Sequence, residues 1–320
     1  MPTKKTATRT ARAVRTNIKR PRRRKGRSGR KFFFSMLLIL AFVVLYNFFW
    51  EDIAERFNFG TSTVMVLRDG EIMVSFIDVG QGDAILVRSR DNAVLIDGGE
   101  HSQRNVVLNY LRDAGVRSLC YVVATHPHSD HIGGLVTVLG RVNVGYVVMP
   151  DITHDTNTFE RFLSVIDSNN IAVIFPEPGD VLQAGLINLT VIAPPNPHPG
   201  TNLNNASIVL RLVHGQNAFL FTGDGEQELE NWMVNSGMDI SANVLNVGHH
   251  GSRTSTTEYF LAAVNPQAAI ISLGYNNRYG HPHREVVDRL NSHNVRIYRT
   301  DQLGTIRMIT DGERIWASSH

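Results

Sequence analysis

From residue 71 onward, short apolar runs alternate with longer amphipathic stretches. "EIMVSFIDV", "DAILVRS" and "NAVLIDGG" read as strands bounded by Gly and Asp turns. The spacing then predicts helix "RNVVLNYLRDAG", strand "LCYVVAT", a helix beginning in "HIGGLVTVLG", strand "GYVVMP" and helix "TFERFLSVIDSNN". After a Pro/Asn-rich loop, "APPNPHPGTNLNN", the runs "ASIVLRLVHG" and "NAFLFTGD" predict a hairpin. Helix "EQELENWMVNSG", strand "ANVLNVG", helix "STTEYFLAAV", strand "AAIISLG", helix "REVVDRLNSH" and strands "VRIYRT" and "GTIRMIT" follow. Strands that are apolar on both sides need cover on both faces, which two sheets with helices outside them provide. The expectation is an α/β protein with one four-layer αββα domain over 71–320, with no internal linker and no short-period repeat.

Before residue 71 the pattern changes. Phe32 to Trp50 is nineteen residues without a charge, Pro or Gly, close to the ~20 a helix needs to cross a hydrocarbon core. Tyr46 and Trp50 stand towards its far end, where aromatic rings suit the membrane interface. A cleaved signal peptide would have a shorter apolar region and a small-residue cleavage site, and "NFFWEDIAERF" offers none. Residues 1–31 are therefore expected to be a basic cytoplasmic tail, 32–50 a transmembrane anchor and 51–70 a connector. The remainder would lie outside the cell, since cations before a span favour the cytoplasm.

Charge sharpens this division. The chain's net +3 hides fourteen Lys/Arg and no acid within residues 1–31; the remainder keeps 18 of the 32 basic residues against 29 acidic ones, a net of −11. The 42% apolar content and 26 glycines over 320 residues suit a globular fold rich in turns. Cys120 is the single cysteine, which excludes an intrachain disulfide and a thiolate metal site.

The chemistry gathers at strand ends. "THPHSDHIGG" follows the apolar run "LCYVVA" and supplies His126, His128, Asp130 and His131. Histidines two apart on an extended segment face the same side and can grip one ion; Asp130 and His131, where the chain turns into a helix, can face a second. Imidazoles and carboxylates without thiolates suit Zn²⁺, with Mn²⁺ or Fe as alternatives. Asp224 ends "FLFTGD", where a carboxylate could bridge two ions; His249 and His250 end "LNVGHH", and Asp97 ends "LID". One Asp-Gly pair is ordinary turn chemistry, but four strand ends with liganding side chains point to a metal centre.

"THPHSDH" resembles the HxHxDH signature of the metallo-β-lactamase superfamily. "FIDVGQGDAILV", "LIDGG", "NNASIVL", "FTGD", "VGHHGS", "YGHP" and "YRTDQLGTI", in that order from about residue 73 to 310, resemble the C-terminal hydrolase domain of the competence protein ComEC. The multi-helix DNA channel of that protein is not expected here, a single anchor standing in its place. The resemblance implies an αββα metallo-β-lactamase sandwich and a hydrolase with two Zn²⁺ ions, or Mn²⁺ in their place. It also implies that His126 and His128 bind one metal, that Asp130, His131 and His250 (favoured over His249) bind the other, and that Asp224 bridges them. Asp97 would orient the ligands from behind. Most superfamily members carry a histidine just before the strand that reads "ASIVLRL"; Asn204 and Asn205 stand there instead, so the first metal is expected to be the weaker.

Two metals on a phosphoester need no Ser-His-Asp nucleophile. Asp130 and His281 are the expected catalytic residues, His281 as general acid or else as a loop histidine shaping the next helix. Ser252, Thr254 and Ser255 would bind phosphate oxygens or cap a helix. The resemblance favours a phosphodiesterase or nuclease acting on single-stranded DNA in competence. A domain of net −11 with no Lys/Arg-dense stretch argues for a small phosphoester, such as a phosphorylcholine or cell-wall ester. A metal-bound, non-catalytic module of a DNA-uptake or envelope assembly is the third reading.

Overall fold

A computed structural model of the protein describes residues 66–317. The expected basic tail (1–31), anchor (32–50) and most of the connector (51–70) lie outside the described residues. Among the described residues no helix is long and apolar enough to cross a membrane.

The first sheet takes β1 (Ile72–Phe76), β2 (Ile85–Arg88), β3 (Ala93–Ile96), β4 (Ser118–Val123), β5 (Asn143–Val148) and β6 (Ala172–Ile174). The second takes β7 (Val181–Ala184), β8 (Ile187–Ala193), β9 (Val209–His214), β10 (Asn217–Phe221), β11 (Val244–Asn246), β12 (Ala268–Ile271) and β13 (Arg296–Arg299). The chain then returns to the first sheet, where β14 (Ile306–Thr310) pairs with β1 and β15 (Ile315–Ala317) forms the edge. Each sheet begins as an antiparallel meander and ends as a parallel run: β3 to β6 in one, β10 to β13 in the other. Parallel neighbours need crossovers, and these are the predicted helices. They are α1 (Arg104–Asp113), α2 (Ser129–Ile132) with α3 (Leu135–Leu139), α4 (Asn157–Ser168), α5 (Gln227–Asn235), α6 (Glu258–Val264) and α7 (Arg284–Ser292).

Alternation along the strands builds three apolar layers. Ile72, Val74 and Phe76 of β1, Ile85 and Val87 of β2, and Phe219 and Phe221 of β10 meet between the sheets; the rings of Phe76 and Phe221 lie 6.3 Å apart. Leu86, Leu95 and Val122 face the other way onto α1, α3 and α4. Leu220, Leu245 and Ile271 pack beneath α5, α6 and α7. The layers are therefore αββα, as the strand pattern requires.

Two local expectations change. The helix read from "HIGGLVTVLG" is broken at Gly133–Gly134 into α2 and α3. A Cβ at Gly134 would collide with the carbonyl oxygen of Gly98, so the glycine is required where the turn after β3 crosses this helix. No element is predicted for β6, β7 or β8; β6 and β7 are short and partly exposed, whereas β8 runs over seven mostly buried residues.

Glu230 on α5 is only 2% exposed and accepts hydrogen bonds from the backbone N–H groups of Thr256 and Thr257, ahead of α6. Burial pushes its carboxyl up to about 7, against the opposing pull of those hydrogen bonds and of Arg289. A folded-state pKa above the unfolded value gives stability that is complete below the unfolded value of 4.5 and lost as pH rises through 7. Glu230→Gln should therefore flatten the fall in denaturation free energy between pH 5 and 8, by at most about 3 kcal/mol. Identical slopes for both proteins in pH-dependent urea melts would show that Glu230 does not carry this term.

Candidate metal centre

The parallel strands all end on the side where the chemistry lies. β3 delivers Asp97, β4 delivers Thr125 and His126, β10 delivers Asp224, and β11 delivers His249 and His250. His128, Asp130 and His131 follow within the turn into α2. These side chains come from both sheets, so the site exists only where the sandwich is assembled.

Asp224 is the centre of the arrangement and is buried. Its Oδ1 lies 3.2 Å from His131 Nε2 and 3.4 Å from His250 Nε2; its Oδ2 lies 3.6 Å from His126 Nε2 and 3.8 Å from His249 Nε2. His250 Nε2 is also 3.4 Å from Asp130 Oδ2, and His126 Nε2 is 3.0 Å from His128 Nδ1. Donor atoms of Asp130, His131, Asp224 and His250 lie within 4.8 Å of one another, as do those of His126, His128 and Asp224. Despite these separations, His131 Nε2, His250 Nε2 and Asp224 Oδ1 make no hydrogen bond, because their angles do not suit one. Buried polar atoms without partners are rare. Imidazoles and carboxylates around such atoms fit divalent metal ions, and the residues could hold two.

The remaining ring nitrogens are fixed from behind. His131 Nδ1 bonds Asp97 Oδ2 at 2.8 Å, and His250 Nδ1 bonds the Ser272 carbonyl at 3.0 Å. Asp97 also accepts from Thr125 N–H (2.9 Å) and Thr125 Oγ1 (2.7 Å). Asp97, His249 and His250 have φ of 57°, 49° and 55°, a left-handed conformation that non-glycine residues adopt at a cost and that clusters at functional sites.

Burial dominates the electrostatics. It holds His126 and His128 below the ordinary histidine range and hence neutral. Burial also opposes charge on His131 and His250, but the carboxylates of Asp224, Asp97 and Asp130 raise His131 well above the ordinary range, and Asp224 and Asp130 lift His250 to about 9. The same imidazoles outweigh burial at Asp224 and Asp130 and keep both ionised.

A cavity of about 400 Å³ opens above the centre, lined by His128, Asp130, Asn204, His249, Tyr279 and His281 among others. His281 lines this cavity, and burial together with the imidazoles of His250, His249 and His283 pushes its pKa down to about 4. Asn205 is fully buried with its side chain turned away, accepting from Glu226 N–H and donating to Glu228; Asn204 lines the cavity and donates to Glu226. Ser252 is buried and bonded to Thr254, Ser255 bonds the Gly248 carbonyl, and Thr257 caps α6. Ser252 and Ser255 thus shape the turn and do not face the cavity.

Two residues were missed. Asp83 is buried beside Asp97 and His131, with one carboxylate oxygen unpartnered and its pKa pushed up to about 6 by burial. Glu226 Oε1 stands 3.1 Å from His249 Nδ1, which hydrogen-bonds Thr254 Oγ1 at 3.3 Å. Asp83 in "GQGDA" lies in the loop between β1 and β2, just ahead of β2, so a search of strand ends does not find it.

The family model of the metallo-beta-lactamase superfamily matches residues 77–275. ComE operon protein 3 of Bacillus subtilis is 36% identical over 252 residues, covering 73% of this chain and 32% of that protein. Competence protein ComA of Neisseria gonorrhoeae is 31% identical, covering 75% of this chain and 32% of its own. Both are ComEC-family competence proteins. The chain spans about a third of the length of these curated relatives. Among solved structures, CmlA, a diiron beta-hydroxylase from Streptomyces venezuelae, aligns with a TM-score of 0.50 at 13% identity over 78% of this chain and 54% of its own, a likeness of fold alone.

Asp97→Ala should cost several kcal/mol, since it strands three donors in the interior at about 1–3 kcal/mol each. Asp97→Asn keeps one acceptor and tolerates a positive φ, so it should fold far better. Its amide N–H₂ facing His131 would move that ring's proton to Nε2 and cost about 10–100-fold in metal affinity. Chemical denaturation and metal titration of both variants check this; an Asn variant with unchanged metal affinity would refute the orienting role.

Proposed function

The chain belongs to the metallo-β-lactamase superfamily, and on that premise we propose that it is a membrane-anchored, two-metal phosphodiesterase acting outside the cytoplasm. The observation that carries the proposal is the convergence of imidazole and carboxylate donors on Asp224, with three buried atoms unpartnered, at the floor of an open cavity. His126 and His128 would hold one ion, Asp130, His131 and His250 the other, and Asp224 both. Zn²⁺ suits the donor set and Mn²⁺ is the alternative. When bound, such ions supply an activated water at neutral pH and neutralise charge at a phosphoryl group.

The chain's own residues do the rest. Asp97 fixes the His131 ring so that Nε2 faces the centre. Asp130, ionised beside His250, keeps the floor anionic where it meets the cavity. His281, neutral, hydrogen-bonds the departing group from the opposite wall in place of delivering a stored proton.

The relatives' role in competence favours single-stranded DNA as substrate. Tyr279 at the cavity and Arg278 stacked on it at 5.0 Å offer a base and a phosphate something to meet. A small phosphoester such as phosphorylcholine is the second reading. It is favoured by the pairing of Arg253 with Glu285 (3.4 Å) and of Arg284 with Asp288 (3.3 Å), which leaves fewer uncompensated cations for a polyanion. Residues 32–50 would anchor the chain with 1–31 in the cytoplasm and 71–320 outside.

The full-length chain should hydrolyse bis-(p-nitrophenyl) phosphate and lose this on chelation. Asp224→Ala should lose more than the 10–100-fold usual for a partner behind a ligand. No turnover with any divalent metal would sink the enzyme reading, and activity on phosphorylcholine but not single-stranded DNA would select the second substrate.

Separately, the protein should pellet with membranes and expose a C-terminal tag to protease added to intact cells. A soluble full-length product would refute the anchor.

A further inference from the structure

Between β12 and α7 the chain passes the cavity as the segment "GYNNRYGH", residues 274–281, of which Tyr279 and His281 line the wall. The segment has no helix or strand of its own, yet its shape is fixed. Asn277 Nδ2 donates to the carbonyls of Gly274 (3.1 Å) and His281 (2.7 Å). Its Oδ1 accepts from the N–H groups of Tyr279 (3.2 Å) and His281 (3.0 Å). At the start of the segment Gly274 N–H donates to Gln81 Oε1 at 3.4 Å, and a Cβ on Gly274 would lie 2.9 Å from the Gln81 nitrogen.

What this fixed loop presents is aromatic and cationic. Tyr275 is 84% exposed and Tyr279 47%, although such rings gain from burial. Planar groups follow one another outward from the metal centre. The His281 ring lies 6.4 Å from that of His250, and the Tyr279 ring is stacked on His281 at 5.6 Å and 24°. The Arg278 guanidinium lies over Tyr279, 5.0 Å from the ring centroid, and donates Nη2 to the tyrosine hydroxyl at 2.8 Å. Among the described residues Arg278 forms no ion pair, whereas Arg253 and Arg284 are matched with carboxylates.

We infer that this loop seats a nucleoside flanking the scissile phosphate: the base stacks on the outer end of the series His281, Tyr279 and Arg278, and Arg278 meets a neighbouring phosphate. Asn277 is the positioning residue that keeps the series assembled. Bases stack on tyrosine rings and on guanidinium planes alike, with little regard to sequence. The unpaired guanidinium supplies a cation that the cavity wall lacks. It also selects against the competing substrate class. An uncovered tyrosine attracts a quaternary ammonium through its ring face, but Arg278 already stands over Tyr279 and repels a second cation. A choline ester therefore gains nothing from the aromatic loop, and the preferred phosphodiester carries a flat, neutral group beside the phosphate.

This rests on the phosphodiesterase reading, and four esters that share one leaving group separate the two. Full-length chain with Mn²⁺ is given the p-nitrophenyl esters of thymidine 5′-phosphate, thymidine 3′-phosphate, methyl phosphate and phosphorylcholine, and p-nitrophenol release is followed. By kcat/KM, wild type should place a thymidine ester above the methyl ester and the methyl ester above the choline ester. Tyr279→Ala should remove about 5–150-fold of the preference for thymidine over methyl, the worth of one stacked base. Tyr279→Phe should keep most of that preference. Arg278→Gln should narrow the gap between the methyl and choline esters and lower the salt slope of oligothymidylate binding by about one. Asn277→Ala should raise KM for the thymidine ester while metal content and circular dichroism stay at wild-type values, a split that general loss of structure would not give. No release from any of the four esters would sink the phosphodiesterase reading and this inference together. Release from the methyl ester with no preference for either thymidine ester, or a preference that survives both Tyr279→Ala and Arg278→Gln, would overturn this inference alone. So would a wild type that favours the choline ester.

Discussion

Asp224 sits at 2% exposure with imidazole nitrogens of four histidines between 3.2 and 3.8 Å from its oxygens. A carboxylate taken this far from water costs several kcal/mol unless charge and hydrogen-bonding partners are delivered to it with good geometry. Much of the architecture serves that delivery. The partners arrive at the ends of β4 in one sheet and β11 in the other, and the carboxylate itself follows β10. Phe221, three residues before Asp224, packs near Phe76 between the sheets. The apolar interior therefore fixes how far apart the two ligand-bearing edges stand, and loosening it would act on the site without touching a ligand.

Around that carboxylate the fold accepts conformations it would otherwise avoid. Asp97, His249 and His250 each hold a left-handed backbone, at an order of 1–3 kcal/mol apiece. His131 Nε2, His250 Nε2 and Asp224 Oδ1 are left without hydrogen bonds. A metal-free chain bears these costs uncompensated, with His131 and His250 driven towards their protonated forms by the acids beside them. Ligands must be deprotonated to bind a metal, so metal uptake, proton release and folding stability are coupled through the same few atoms.

What the sequence disclosed was what is local. Apolar runs ending in His or Asp located β3, β4, β10 and β11 and most of the donor atoms now seen to converge. Alternation of buried positions announced two sheets with helices on both sides. Tertiary pairing was invisible. Asn204 and Asn205 looked like an absence of ligand because their partners, Glu226 and Glu228, lie over twenty residues away and across the site. Nothing in "YGHPHRE" shows that the imidazoles of His250, His249 and His283 act on His281. The break at Gly133–Gly134 depended on Gly98, which comes from another strand's exit turn.

Electrostatics also bears on how a polyanion could reach this cavity. Outside the basic tail the chain carries a net of −11, and the floor of the cavity holds Asp130 and Asp224, both ionised. A phosphodiester approaching the metal-free protein would meet like charge at the point where it must bind. No arginine or lysine lines the cavity, and Arg253 and Arg284, elsewhere on the surface, stand in exposed pairs with Glu285 and Asp288. The larger correction has to come from the centre itself, since bound divalent ions are the dominant local charges of a site and reverse its sign. Substrate affinity and metal occupancy are then one property of this fold: the same carboxylates that repel a phosphodiester in the metal-free chain are those that draw in the ions able to attract it.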